Sequence, residues 1–258
     1  MRAILVSVDY ADLLAITLPY NRHHFEEVMV VTTPTDTSTI KVALENQCRV
    51  CETNAFYEDG ANFNKWRALE YGLDLYGRRG LMCIMDADIL WPKVVQHWLK
   101  RGALVYEPGY LYTPERYCLE DIRKPVPPES EWKMLPQLND SEWAGYTQIF
   151  FANDRHLPKP PWHDINWRHA GGADSFFARC WPRKRWRRPT FKALHLGVTG
   201  ANWCGRATAT VAGAVPPEAQ QRREALHGFM KARTGNSPTT RFQAEKLPAG
   251  LPGDQAKD

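Results

Sequence analysis

The chain has 258 residues, 43% apolar and 24% charged, a globular composition with enough apolar material for one sizeable core. No apolar run approaches the roughly eighteen residues of a membrane-spanning helix, and Met1-Arg2 leads into "AILVSV" without a small-residue cleavage pattern, so a cytoplasmic protein without membrane partner is expected. The net charge of +4 is below what strong duplex binders carry.

The six cysteines (Cys48, Cys51, Cys83, Cys118, Cys180 and Cys204) are scattered, and "CRVC" is the one close pair. A four-ligand zinc site needs a second pair at suitable spacing, and a disulfide framework needs a denser pattern, so both are disfavoured.

In chain order, "RAILVSV" (2–8) reads as a buried first strand and "EVMVVTT" (27–33) as a second. The connection "DLLAITLPYNRHHF" reads as a helix that Pro19 kinks or restarts. "TDTSTIKVALENQ" predicts a capped helix and "RVCET" a short strand. "NFNKWRALEYGLDLYG" carries Phe63, Trp66, Leu69 and Leu73 at helical spacing and leads to the strand "LMCIM". Strand alternating with helix implies a mainly parallel α/β sheet flanked by helices on both faces.

Beyond Trp91 the pattern changes. A helix at "PKVVQHWLKR", a strand at "ALVYE", a proline-rich aromatic stretch from Tyr110 to Trp143, a strand at "YTQIFFAND", a helix opening at "GGADSFF" and a strand at "FKALHLG" are expected. "PPEAQQRREALHGFMKARTG" reads as a terminal helix, begun by proline and stopped by glycine, followed by a polar, Pro- and Gly-rich tail. The expected organisation is a catalytic unit over residues 1–213, with halves 1–90 and 91–213, a helix over 214–235 and a mobile tail over 236–258.

"GLMCIMDADIL" (80–90) runs a buried strand into two aspartates, Asp86 and Asp88. About 0.75 such Asp-x-Asp triplets arise by chance from 14 aspartates in 258 residues, so context has to decide its meaning. Ligands of parallel sheets bind beyond the carboxyl ends of the strands. Asp9, Asp36, Asp86 and Asp88 all follow predicted strands and would gather there. Two hard oxygen ligands at an open rim suit Mg²⁺ or Mn²⁺ that still needs oxygens from a phosphate.

The ordered motifs "VSVDYAD", "VVTTPTD", "NFNKWRALEYGL", "MDADIL", "GYTQIFF", "GGADSFF" and "LHLG", spread over roughly residues 1–202, resemble the metal-dependent GT-A class of nucleotide-sugar glycosyltransferases. The resemblance implies a single Rossmann-like sheet with a mixed, acceptor-binding second half. It assigns Asp88 to the metal, and Asp86 to the metal's shell or the ribose. His195 becomes the late histidine of the metal or diphosphate site. Asp36, with Asp9 nearby, becomes a nucleotide contact that reads the base, Asn62 and Lys65 become diphosphate or sugar contacts, and Asp174 becomes the acid facing the acceptor. The implied cofactor is Mn²⁺ or Mg²⁺ and the implied donor a UDP-sugar.

Bland readings stand beside these. Asp9 and Asp36 also suit turn or cap positions, Asp174 suits a helix start, and His195 suits a packed core.

"RCWPRKRWRRPTFK" (179–192) holds seven Lys or Arg and no acid, with Trp181, Trp186 and Phe191 interleaved. It reads either as a charge-guarded edge strand or as a phosphate-tracking surface, formed by Arg183, Lys184, Arg185, Arg187 and Arg188, with rings for stacking on bases. The compact chain also resembles small glycosyltransferases of DNA viruses and phages, some of which modify hydroxymethylated pyrimidines. That implies DNA as acceptor and, for a viral source, residence in the host cytoplasm. The rivals are a glycosyltransferase acting on a glycan, lipid or protein, and a non-catalytic nucleic-acid-binding protein. A nucleotidyltransferase is disfavoured because "VDYAD" puts no glycine after the first strand. A two-Rossmann glycosyltransferase has too little chain.

Overall fold

The computed structural model describes residues 1–138 and 145–235. The first half alternates as its sequence predicts: β1 (Arg2–Val6), α1 (Ala11–Asn21), β2 (Glu27–Thr32), α2 (Thr37–Glu45), β3 (Arg49–Glu52), α3 (Lys65–Tyr76) and β4 (Leu81–Asp86). β1 pairs in parallel with both β2 and β4, and β2 with β3. Both faces of β1, β2 and β4 are apolar because both are covered. Ile4, Met29, Val31, Met82 and Ile84 pack with Leu69 and Leu73 of α3, whereas Ala3, Leu5, Val28, Val30 and Cys83 pack with Leu14 and Leu18 of α1. Each fully buried Leu or Ile contributes about 1.5–3 kcal/mol relative to exposure.

α3 lies close enough to β2 that a Cβ on Gly72 would meet Val31 Cγ2 at 2.5 Å. α1 runs through Pro19 to Asn21, and a 3-10 turn at Arg22–His24 follows.

The second half holds β5 (Ile89–Leu90), α4 (Val94–Lys100), β6 (Leu111–Tyr112), β7 (Glu115–Leu119), β8 (Gln137–Leu138), β9 (Thr147–Phe151), α5 (Ala173–Ala178), β10 (Trp186–Arg187), β11 (Lys192–Leu196) and α6 (Ala219–Gly235). The large sheet has the order β10-β6-β9-β4-β1-β2-β3, and β9 is antiparallel to its neighbours β4 and β6.

A second sheet, β5-β11-β7-β8, stands beside it. Its β7 and β8 arise from the stretch that reads as loop. The strand expected at "ALVYE" does not form: residues 103–107 are irregular, and β6 begins four residues later. The small sheet buries Leu90, Leu119, Leu194 and Leu196 against Leu13 and Trp132.

No helix among the described residues is long and apolar enough to cross a membrane. The expected tail, residues 236–258, lies outside the described residues.

Candidate active site

The strand order reverses at β1, which has β2 on one side and β4 on the other, and such a reversal opens a crevice at the carboxyl ends of the strands. Asp86 ends β4 there, in register with Val6 at the end of β1. The turn after it is fixed from three directions. The Asp86 N–H donates to Tyr146 O at 2.9 Å. From α1, Thr17 Oγ1 donates to Ala87 O at 2.7 Å and Asn21 Nδ2 to Ile89 O at 2.6 Å. From β11, the Leu196 N–H donates to Asp88 O at 2.9 Å.

These restraints put both carboxylates in one cavity of about 370 Å³, which Lys65, Asp174, His195, Arg116 and Arg206 also line. The two aspartates are treated differently. Asp86 Oδ1 is ion-paired to Lys65 Nζ, and Lys65 is buried, its ammonium 4.8 Å from the Trp66 ring centroid. Asp88 Oδ2 faces His195 Nε2 at 3.7 Å, while its Oδ1 is buried and accepts no hydrogen bond. Burial raises the Asp88 pKa; the His195 side opposes that and the Asp86 charge adds to it.

The residues present fit a divalent cation. A buried carboxylate oxygen without a donor is the group an ion would satisfy. With metal–ligand bonds of about 2.1 Å, adjacent ligands of an octahedral ion stand about 3.0 Å apart and opposite ones about 4.2 Å. The 3.7 Å between Asp88 Oδ2 and His195 Nε2 falls in that span. Among the described residues no three His, Cys, Asp or Glu side chains converge as a complete metal site. An ion held by Asp88 and His195 would leave positions for phosphate oxygens, as Mg²⁺ and Mn²⁺ sites at phosphates do.

Across the cavity, α5 begins at Gly172, whose φ of +96° favours glycine, and projects Asp174 inward. Asp174 Oδ2 accepts the Gly145 N–H at 2.6 Å and Oδ1 accepts the Ser175 N–H at 2.9 Å. Burial raises its pKa, partly offset by the Gly145 hydrogen bond and the Lys65 charge. Gly145 is required because a Cβ there would stand 2.1 Å from Asp174 Cβ. Two of the roughly four lone-pair positions of the carboxylate are filled. The others remain for a proton.

The roof is the segment 198–206. Trp203 lies over Gly171, where a Cβ would meet its ring at 2.4 Å. Arg206, only 1% exposed, anchors the segment by pairing with both oxygens of Asp12 and donating to Asp9 O and Ala209 O. α6 closes over it: Arg222 reaches Arg206 O and Asp9 Oδ2 at 2.9 Å each, and Arg223 reaches Ala207 O.

The structure thus gathers Lys65, Asp86, Asp88, Asp174 and His195. Asp9, Asp36 and Asn62 are not among the cavity's lining residues. Asp36 is the N-cap of α2, its Oδ1 accepting the Thr39 N–H at 3.0 Å and its Oδ2 the Asp9 N–H at 2.7 Å. Asn62 is exposed, and its N–H donates to Arg168 O. The N-cap of α3 is Asn64.

The basic run forms a 3-10 turn at Arg183–Arg185 and the edge strand β10. Its rings correct one expectation. Trp181 and Phe191 are 1% and 3% exposed and belong to the core, so neither is available for stacking on bases. Arg188 caps Thr113 O and Pro114 O, and Arg185 and Arg187 lie over Tyr110.

Sequence reasoning missed Arg116, Arg206 and the position of Gly145. Arg116 sits in β7, whose alternation "ERYCL" was the available signal. Parallel pairing sets Arg116 beside Ala193 and Cys118 beside His195, so Arg116 and His195 share the site-facing side of the small sheet. The Arg116 guanidinium lies 3.9 Å from the Tyr146 ring centroid.

No protein-family model matches the chain, and no curated protein matches it. Solved structures do resemble it. One is glucosyl-3-phosphoglycerate synthase from Mycobacterium tuberculosis with Mn²⁺, UDP and glucosyl-3-phosphoglycerate, at 12% identity and TM-score 0.47, covering 92% of this chain and 81% of the other. A second is a mannosyltransferase from Pyrobaculum calidifontis with GDP-mannose and Mn²⁺, at 16% identity and TM-score 0.47, covering 92% and 76%. A third is mannosyl-3-phosphoglycerate synthase from Rubrobacter xylanophilus, at 19% identity and TM-score 0.35, covering 45% and 40%.

Proposed function

We propose that the protein is a metal-dependent glycosyltransferase that moves a sugar from a nucleotide diphosphate, UDP in the first instance, to a hydroxyl acceptor. The observation that carries this reading is the buried, unpartnered Asp88 Oδ1 beside His195 at the strand-order reversal. Asp88 and His195 would hold Mn²⁺ or Mg²⁺, with Asp86 beside them. When bound, the ion offsets the charge that grows on the departing diphosphate, a contribution of several kcal/mol.

The chain's own groups divide the remaining work. Lys65 fixes Asp86, and Arg116 supplies a cation in the cavity wall that a diphosphate would meet. Asp174 accepts the proton of the acceptor hydroxyl as that oxygen bonds to the anomeric carbon and the bond from that carbon to the diphosphate oxygen breaks. Burial raises its pKa, the direction that makes a carboxylate a stronger base. The roof segment excludes water from the transfer.

The acceptor we propose is a hydroxymethylated pyrimidine in DNA. Its support is the exposed cationic edge of Arg183, Lys184 and Arg187, which follows directly on the helix carrying Asp174. Incubation with Mn²⁺ and a panel of nucleotide sugars, with and without hydroxymethylated DNA, followed by mass analysis of the digested nucleosides, tests both parts. A hexose mass on the nucleoside supports them. Sugar transfer only to other hydroxyl acceptors overturns the DNA part, and turnover unchanged by chelator overturns the metal part.

A further inference from the structure

A second cavity, of about 260 Å³, lies on the other side of α5 and is lined by Ser175, Ala178, Arg179, Trp181, Pro182, Arg183 and Trp186. Ser175 also lines the main cavity, so the two adjoin at the first turn of α5, one residue from Asp174.

The walls of this cavity contain two guanidinium groups and no acid. Several arginines of this chain settle on carboxylates: Arg67 on Glu58 and Asp59, Arg78 on Glu70 and Asp74, Arg206 on Asp12, Arg222 on Asp9. Among the described residues no carboxylate pairs with Arg179 or Arg183. The two are instead placed against rings, Arg179 at 5.1 Å from the Phe176 centroid and Arg183 at 5.8 Å from that of Trp186. The ring wall is fixed, because Trp186 Nε1 donates to Ala178 O at 3.1 Å and to Trp181 O at 2.9 Å. Two arginines with room between them and no internal anion match a phosphate, which accepts bidentate hydrogen bonds from guanidinium groups.

We infer that this second cavity binds a phosphate group carried by the acceptor, so that the acceptor hydroxyl is delivered across Ser175 to Asp174. The inference rests on the reading of Asp174 as the acceptor-facing acid, and it adds a residue, Arg179, that is not among the five assigned from the sequence to the phosphate-tracking surface. Lys184, Arg185, Arg187 and Arg188 do not line this cavity. The phosphate has two possible sources, a phosphodiester flanking the target nucleotide in a DNA strand or a phosphomonoester on a small acceptor, and Trp186 offers either its ring wall.

The test is a ³¹P NMR titration of the full chain with inorganic phosphate and, separately, with a short oligothymidylate, with UDP binding in Mn²⁺ measured in parallel. Arg179→Ala/Arg183→Ala is expected to weaken phosphate binding roughly tenfold or more while leaving UDP binding unchanged. Arg79→Ala, which removes a guanidinium from an exposed position outside both cavities, is expected to change it less than about twofold. Both arginines are exposed, and circular dichroism checks that the variants are folded.

Oligothymidylate binding more tightly than phosphate, with the preference lost in Trp186→Phe, assigns the phosphodiester source. Phosphate binding as tightly as the oligonucleotide assigns the phosphomonoester. Phosphate binding unchanged in the double variant, or lost equally in Arg79→Ala, overturns the inference. Failure to bind UDP with Mn²⁺ overturns the proposed donor chemistry alone, because phosphate binding is read without it.

Discussion

The rims at the ends of β2 and β4 carry acids of the same kind in opposite states. At the end of β2, Asp36 gives one oxygen to the first turn of α2 and the other to the Asp9 backbone, so it is satisfied by the fold itself. At the end of β4, Asp88 has one oxygen buried without a donor and the other 3.7 Å from a histidine. A carboxylate whose acceptors are filled by backbone amides stabilises the fold. One kept unsatisfied in a cavity costs stability, about 1–3 kcal/mol for a buried polar group without a partner, and is retained for what it binds.

The contrast predicts effects of opposite sign, and the largest is at Asp88. With its pKa raised in the folded state, Asp88 opposes folding above the pKa of the unfolded chain, because the folded chain must then ionise a buried group. Asp88→Asn is therefore expected to raise the metal-free Tm, by about 2–4 °C per kcal/mol recovered. It should also lower glycosyl transfer about a thousandfold, a loss of about 4 kcal/mol of transition-state stabilisation. Calorimetry and a transfer assay read the two effects. A fall in Tm with transfer intact would reverse the comparison.

The next effect tests the wall opposite. Gly145→Ala pushes a methyl against Asp174 and disturbs the hydrogen bond that lowers its pKa. The rate of a base rises with pH through its own pKa, so the acid limb of the pH–rate profile should move to higher pH in the variant. We expect kcat to fall about ten- to a hundredfold while KM for the donor stays near the wild-type value. Asp174→Asn should remove the limb. An unchanged profile in both variants would assign Asp174 to acceptor binding alone.

The regular half of the molecule was legible for a reason visible in its packing. β1, β2 and β4 are buried on two faces and each helix on one, so apolar runs and helical spacing mark them in turn, while the edge strand β3 exposes Arg49 and Glu52. β6 and β8 are two residues long, β7 mixes charged and apolar residues, all three are joined by prolines, and their pairing is set by contacts far along the chain, such as Ala193 beside Arg116. Local pattern does not carry such pairing. For the same reason Arg116 went unread, whereas Asp86, Asp88 and Asp174 were visible as residues at a strand end or a helix start, and His195, inside the strand at "FKALHLG", through the resemblance alone. The buried state of Trp181 and Phe191 was unreadable too: aromatic residues among arginines look alike whether they stack on ligands or fill the core, and tertiary contact alone distinguishes them.

The smallest effect is at Asp36, and it bears on an assignment that rests on resemblance. Removing the N-cap in Asp36→Ala should cost about 1 kcal/mol. Tm should fall by about 2–4 °C for a chain of this size, with transfer changed only a few-fold. The donor KM is the deciding measurement, because a residue that reads the base acts on binding and a cap acts on folding. A Tm loss with a steady KM makes Asp36 the scaffold of its rim, as its hydrogen bonds imply. A KM raised about a hundredfold at unchanged Tm would mean that the carboxylate gives up its backbone partners when a nucleotide arrives, and that the two rims work on the donor together.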